Sequence, residues 1–243
     1  MIDFHTHILP GIDDGSASVT ESVSMLREEK RLGIDAVVAT PHYYANRNDI
    51  DSFLEKRENT WNQLVPYLWN ELPDIYLGAE VQYFEGICAV EGLELLRIKG
   101  TDLLLVEMPF RQWSSRFVDD VLELNEREGI QVVLAHIERY MDMQSADIWN
   151  QLRNHGVQMQ CNVTFFDNWR TKFKAMSMLS RGEIQYLGSD CHNMRSRRPN
   201  WNLISDKAWN LVENNLQNKK LRQVQPQDIS YDLFAMYSSP VND

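Results

Sequence analysis

The chain has 243 residues, 43% of them hydrophobic, enough to bury a full core as one large α/β barrel or two small domains. Its 24 basic and 35 acidic residues give a net charge of −11, which argues against a general nucleic-acid or anionic-membrane binder. Cys88, Cys161 and Cys191 form no CxxC pair, no apolar run nears the ~20 residues that span a bilayer, and the first residues lack a secretory pattern, so a soluble cytoplasmic protein is expected.

The first short apolar run is Ile2–His5, read as a strand, with His7 two residues beyond His5. Side chains at that spacing share one face of an extended chain, so both imidazoles can reach one point. Ser18-x-x-Glu21 is a capping box that opens a helix to Arg31, stopped by Gly33. A second strand, Asp35–Thr40, leads into Pro41-His42, and Phe53, Arg57, Trp61, Leu64 and Leu68 line one face of a long helix. Strands Ile75–Glu80 and Asp102–Glu107 each end on a glutamate. Helix 117–128, strand Gln131–His136, helix Ala146–Asn154, strand Val157–Asn162, helix 168–180 and strand Ile184–Ser189 follow, with Gly129, Gly156 and Gly182 at the helix-to-strand turns. Asp190 and His192 come directly after the last strand. From about residue 215 the chain turns polar and reads as a final helix and tail. Alternating strands and helices, without a linker or repeat, imply a parallel sheet in a single domain, 1–243, closed or nearly closed as a β/α barrel.

In such a sheet the carboxyl-terminal strand ends share one rim, where barrel active sites lie. His5, His7, His42, Glu80, Glu107, His136, Asp190 and His192 all fall there, and Asp14 follows the first strand. His155 alone among the histidines sits late in a helix, where the dipole gives it an ordinary role. Five imidazoles and four carboxylates in one place are prohibitively costly unless cations neutralise them. The mixed N/O set without thiolates suits manganese, iron, zinc or a similar divalent ion, and nine ligands exceed one ion's needs. Two or three ions are expected. Paired ions of this kind hydrolyse phosphoesters or amides.

The stretches Met1–Gly15, Ala39-Thr40-Pro41-His42, Gly78-Ala79-Glu80, Val106-Glu107, His136-Ile137-Glu138-Arg139-Tyr140 and Gly188–Asn193 resemble the polymerase and histidinol phosphatase (PHP) superfamily. Within it they are similar to the bacterial capsule-associated, metal-dependent protein-tyrosine phosphatases, over about residues 1–200. The resemblance implies a distorted seven-stranded (β/α)7 barrel of TIM-like form holding three metals. His5, His7, Glu80 and Asp190 would bind the first ion. Glu80 would bridge to a second, with Glu107 and His136, and Asp14, His42 and His192 would bind the third. Manganese is the first expectation, with iron, zinc or magnesium as alternatives. Arg139 and Arg197 would bind the substrate phosphate, although Arg198 stands where the family often has proline. A metal-bridging hydroxide would attack phosphorus in line. The implied substrate is a phosphotyrosine protein, the tail of a bacterial tyrosine kinase of capsular or exopolysaccharide synthesis; the alternative is a small-molecule phosphatase such as histidinol-phosphate phosphatase. Nucleic acid and membrane insertion are not expected, and the oligomeric state stays open.

Cys191 to Arg197 has the C-x5-R spacing of thiol-based tyrosine phosphatases, but lacks the glycine that helps backbone N–H groups turn onto phosphate. Trp113, Tyr43, Tyr44, Tyr83 and Phe110 follow strand ends and are candidates to flank a phenol ring, against the ordinary reading of packed aromatics. After Asn162, Val163-Thr164-Phe165-Phe166 replaces the small residues common in the family.

Overall fold

A computed structural model describes residues 1–217, in which nine strands are interspersed with six α-helices along the chain. The strands are β1 (Ile2–Thr6), β2 (Ala36–Ala39), β3 (His42–Tyr43), β4 (Asp74–Leu77), β5 (Glu80–Gln82), β6 (Leu103–Glu107), β7 (Gln131–Leu134), β8 (Gln158–Asn162) and β9 (Tyr186–Gly188). The helices are α1 (Val19–Arg31), α2 (Ile50–Leu64), α3 (Ser115–Glu126), α4 (Ala146–Asn154), α5 (Trp169–Ser180) and α6 (Asp206–Gln217). Every strand pair is parallel, in the orders β1-β2-β4 and β3-β5-β6-β7-β8-β9, so the protein is an α/β fold built on a curled parallel sheet.

Each of the seven predicted strand runs contains a strand; Ile75–Glu80 is interrupted, and β3 lies beyond the predicted end of the second run at Thr40. Pro41 has no N–H to give, and the path breaks between β2 and β3; Gly78 and Ala79 break it between β4 and β5. The neighbours stay in step across the break, with Gly78 N–H donating to Ala39 O at 2.8 Å and Glu80 N–H to Pro41 O at 3.0 Å. At the other edge, Asp190 N–H donates to His5 O at 2.8 Å and His7 N–H to Cys191 O at 2.9 Å.

Strand alternation divides the core in two. Leu103 and Leu105 join Phe4, Val38, Val133, Ala135 and Tyr186 in a cluster with no helical member, which fills the concave face. Leu104 and Val106 face the other way, into the larger cluster that includes Val23, Met25 and Leu26 of α1 and Val118 and Val121 of α3. Full burial of such side chains is worth about 1.5–3 kcal/mol each, so both faces hold the sheet in place.

The helices begin at recognisable caps. Ser18 Oγ accepts from Glu21 N–H at 3.3 Å, and Glu21 in return accepts from Ala17 N–H at 3.0 Å. Asp49 caps α2 through Ser52 N–H at 2.8 Å. The apolar row that extended to Leu68 overstates α2, which stops at Leu64; Pro66 sits in the following 3-10 turn. Helix α3 begins two residues before Phe117, at Ser115. The last helix starts at Asp206, earlier than the polar composition suggested, and the expected tail from residue 218 lies outside the described residues. No helix among the described residues is long and apolar enough to cross a membrane.

Candidate metal centre

All nine predicted ligands come together on one rim of the sheet, around the Glu80 carboxylate, with His42 and Glu80 opening the short strands β3 and β5. Its Oε2 lies 2.8 Å from His42 Nδ1, 3.3 Å from His5 Nε2 and 3.4 Å from His7 Nε2. Its Oε1 lies 2.8 Å from His136 Nε2, which is also 3.3 Å from Glu107 Oε1. Asp190 Oδ1 is 3.5 Å from His7 Nε2 and 3.8 Å from His5 Nε2. Asp14 Oδ1 lies 3.3 Å from His42 Nε2 and 3.6 Å from His192 Nε2. Side-chain atoms therefore converge in three ligand groups: His5, His7 and Asp190; His42, Glu80 and Glu107; and His7, Asp14, His42 and His192. His7 and His42 each belong to two of them.

The local backbone is shaped for this convergence. A Cβ on Gly15 would stand 2.3 Å from His7 O, and one on Gly188 would stand 2.5 Å from His5 Cβ, so only glycine allows either approach. His136 and Asp190 adopt φ of 30° and 53°, a conformation that side-chain-bearing residues rarely hold. Strain of this kind persists where surrounding structure enforces it, and here both residues are candidate ligands.

Four supporting residues escaped the sequence reading. Asp13 Oδ2 accepts from His7 Nδ1 at 2.8 Å and from His42 N–H at 3.0 Å, while its Oδ1 accepts from Gly15 N–H at 2.9 Å. Gln160 Oε1 accepts from His136 N–H at 2.6 Å and faces His5 Nδ1 at 3.3 Å. Gln160 Nε2 donates to Asn162 Oδ1 at 3.0 Å, and Asn162 Nδ2 donates to Asp190 Oδ2 at 3.0 Å. Such partners fix ring tautomers and aim ligands. The fourth, Glu29, is fully buried beneath the β1–β9 edge with Asp3 and Cys191.

Both predicted arginines reach the centre from one side. Arg139 Nη2 hydrogen-bonds Asp190 Oδ2, which Arg197 Nη2 approaches to 2.7 Å. Arg198 is exposed and makes no ion pair with the cluster. The C-x5-R spacing has no chemical counterpart. Cys191 is buried, its Sγ points to Glu29 Oε1 at 3.6 Å, and burial pushes the thiol well above its ordinary value. The amides of Arg195, Ser196 and Arg197 donate to Asn193 Oδ1, so they are not free to cradle phosphate.

Three of the five candidate aromatics belong to the core instead. Tyr43 packs edge-on to Phe53, Tyr83 donates to Asp120 at 2.6 Å, and Trp113 sits among Tyr140 and Trp149. Tyr44 stacks on His42 at 5.3 Å and half-exposed Phe110 on His136 at 5.9 Å, so these two remain at the mouth. His155 caps α4, its Nδ1 2.8 Å from Gln151 O, as its helix-end position suggested.

Electrostatics within the cluster are severe. Burial alone would lower the His7 imidazole, but Asp13 and Glu80 outweigh it and raise the group to about 10. Burial and the charge of His7 push His192 down to about 3. Burial would raise Glu80 and Asp190, yet the surrounding imidazoles, with Arg139 beside Asp190, hold both carboxyls below their usual range.

The donor set fits divalent cations. Buried Glu80 Oε2, His42 Nδ1 and His192 Nε2 have no hydrogen-bond partner, although His42 Nδ1 lies only 2.8 Å from Glu80 Oε2. Donor atoms that converge without hydrogen-bond geometry are what a cation satisfies, and imidazole with carboxylate suits zinc, iron or manganese. A parallel β/α sheet with such a cluster on its carboxyl-terminal rim defines the class of metal-assisted hydrolases.

The chain belongs to the family described as capsular polysaccharide synthesis, CpsB/CapC, whose family model matches residues 1–228. It is 26% identical over 205 residues to the tyrosine-protein phosphatase YwqE of Bacillus subtilis, covering 81% of this chain and 79% of that protein. It is 27% identical over 241 residues to the tyrosine-protein phosphatase CpsB of Streptococcus pneumoniae, covering 92% and 94%. Among solved structures, one from work on YwqE and CpsB, described as metal-dependent tyrosine phosphatases, superposes with a TM-score of 0.73 at 21% identity, covering 93% of this chain and 98% of that one. Histidinol phosphate phosphatase from Lactococcus lactis superposes with a TM-score of 0.54 at 13% identity, covering 88% and 93%.

Proposed function

We propose that this protein is a metal-dependent phosphomonoesterase that removes phosphate from tyrosine in proteins, serving capsular polysaccharide synthesis in the cytoplasm. The carrying observation is the ligand cluster around Glu80 with Arg139 and Arg197 converging beside it on Asp190. Membership of the CpsB/CapC family and the named activity of its relatives support the choice of phosphotyrosine. The substrate we infer is the phosphorylated tail of a tyrosine kinase of the same process.

His5, His7, Glu80 and Asp190 would hold one ion, Glu80, Glu107 and His136 a second, and Asp14, His42 and His192 a third, with manganese the first choice. Bound ions would acidify a water and offset charge on the phosphoryl oxygens. Asp13 and Gln160 keep the His7 and His5 rings turned inward. Arg139 and Arg197 are placed to exchange Asp190 for the phosphoryl oxygens, which planar guanidinium groups match bidentately. A phenolate leaves with a pKa near ~10, so the reaction does not demand a strong acid at the leaving oxygen. The β1–β9 backbone bonds, with β3 and β5 continuing β2 and β4, support reading the sheet as a closed seven-stave barrel in one domain.

The test compares turnover of p-nitrophenyl phosphate, phosphotyrosyl peptides and histidinol phosphate, with and without chelator. Chelator-sensitive hydrolysis with kcat/KM highest for the peptides is expected. A preference for histidinol phosphate would move the protein to the small-molecule reading.

A further inference from the structure

Helix α5 carries an apolar and cationic face that the fold does not use. Trp169 and Phe173 of α5 are 76% and 78% exposed, the highest values among the exposed large hydrophobics of the described residues. They are four residues apart and therefore share one helix face. From Asn168 to Arg181 the sequence holds Arg170, Lys172, Lys174 and Arg181 and no acidic residue, in a chain of net charge −11. Lys174 is held by Asp142 at 2.5 Å, Arg181 is paired with Glu183, and Asp167 stands just before the helix. Arg170 and Lys172 are exposed with no ion pair among the described residues, and the Arg170 guanidinium lies 5.1 Å from the Trp169 ring centre.

The start of this helix lies close along the chain to the candidate metal centre. Asn162, the last residue of β8, donates to Asp190, and only the Val163–Phe166 turn and a two-residue cap separate it from α5. Phe165 and Phe166 are buried, which anchors the turn. The Lys174–Asp142 pair ties α5 to the Met141–Met143 turn, two residues past Arg139, where Met143 is also exposed.

We propose that the Trp169–Phe173 face of α5 is a docking surface for an acidic stretch of the phosphoprotein, adjoining its phosphotyrosine. This rests on the phosphatase reading for what occupies the neighbouring centre. Two aromatic anchors supply contact area at low entropy cost, while Arg170 and Lys172 select the charge of the incoming chain. A protein negative overall repels acidic segments elsewhere, so a local reversal of sign beside the catalytic rim steers them to this place.

The experiment uses the full metal-loaded chain and two phosphotyrosyl peptides of equal length, one flanked by Glu and Asp, the other by Ser. Trp169→Ser with Phe173→Ser, and separately Arg170→Glu with Lys172→Glu, should raise KM for the acidic peptide by about tenfold and leave its kcat unchanged. The same variants should hydrolyse p-nitrophenyl phosphate like the parent, and the Ser-flanked peptide should respond less to the charge reversal. Unchanged peptide KM in both variants overturns the proposal. So does a change confined to binding of phosphatidylserine vesicles, or to self-association in sedimentation. If the parent hydrolyses neither substrate, the phosphatase reading fails. Calorimetric binding of the unphosphorylated acidic peptide then decides the docking surface, with binding lost in both variants supporting it and no binding to the parent overturning it.

Discussion

The Nε2 atoms of His5 and His7 lie 3.1 Å apart, and both face Glu80 Oε2. His7 Nδ1 meets the acceptor Asp13 Oδ2, and His5 Nδ1 meets the acceptor Gln160 Oε1, so each neutral ring keeps its proton on Nδ1. With both rings neutral, two nitrogen lone pairs and a carboxylate oxygen point at one another, an arrangement that a cation relieves; without one, the neighbouring carboxylates hold a further proton on His7. Removing the cation should therefore lower stability. Adding excess manganese to the chelated protein is expected to raise Tm by at least about 5 °C, since one site at a hundredfold Kd contributes about 2.7 kcal/mol. Scanning calorimetry measures this; an unchanged Tm would mean that no folded-state site binds the ion.

Asp13 should matter to metal affinity although it does not face the cluster centre. Its carboxylate takes the His7 Nδ1 proton at 2.8 Å and also holds the loop through His42 N–H and Gly15 N–H. Asp13→Asn is expected to weaken metal binding by roughly 10–100-fold, the usual effect of losing a carboxylate behind a histidine ligand. Titration with manganese under competing chelator measures it. Unaltered affinity would show that the ring needs no such support.

Burial of Glu29 sets a pH dependence. Asp3 accepts from His5 N–H and Ser189 N–H at 3.0 Å each and from Trp201 Nε1 at 3.1 Å, contacts that favour its carboxylate form, although burial raises the group overall. Glu29 Oε1 meets Ser189 Oγ and Cys191 Sγ, while its Oε2 has no partner. Burial, with the charge of Asp3 beside it, raises the Glu29 carboxyl well above its ordinary value of 4.5. The folded chain thus binds a proton that the unfolded chain releases. Its contribution is complete below the unfolded value and declines as pH rises toward the folded one, by at most about 1.4 kcal/mol per pH unit. Glu29→Gln removes this dependence. Urea unfolding in chelator at pH 5 and pH 8 should show the variant gaining on the parent at the higher pH, and parallel behaviour would contradict a protonated Glu29.

The two neighbouring arginines should separate cleanly. Arg197 reaches Asp190 at 2.7 Å, whereas Arg198 is exposed and away from the cluster. Arg197→Ala and Arg139→Ala are each expected to reduce kcat/KM for phosphotyrosyl peptide by about 10²-fold, as loss of a charge-assisted phosphate contact does. Arg198→Ala should stay within about twofold, a surface change without effect on the site. A large loss at Arg198 would reassign the phosphate contact.

That the candidate ligands would converge was legible because parallel sheets align their carboxyl ends and because His, Asp and Glu recur there. The adjacent Asp13 and Asp14 were not separable by sequence: the turn decides which one faces His7 Nδ1 and which approaches His42 and His192, and that turn depends on Gly15 lying against His7. Gln160 and Asn162 had a signal in the alternation of Gln158, Gln160 and Asn162 with Met159 and Cys161 along a buried strand. Glu29 likewise falls on the apolar side of α1, in step with Ser22, Met25 and Leu26. Strands β3 and β5 are two and three residues long, too short for periodicity to reveal, and follow breaks made by Pro41 and by Gly78-Ala79. The aromatic candidates failed where side-chain direction, unread in sequence, turned Tyr43, Tyr83 and Trp113 into the core.

Hydrolysis is expected to depend on bound divalent ions and not on the Cys191 thiol. Metal content by mass spectrometry should be measured together with p-nitrophenyl phosphate turnover, before chelation, after it, and after manganese is restored, for the parent and for Cys191→Ser. At least two equivalents of metal are predicted, with turnover abolished by chelation and recovered on restoration in both proteins. Full turnover by metal-free protein, or its loss in Cys191→Ser with the metal retained, would place the chemistry on the thiol or elsewhere and not on the metal.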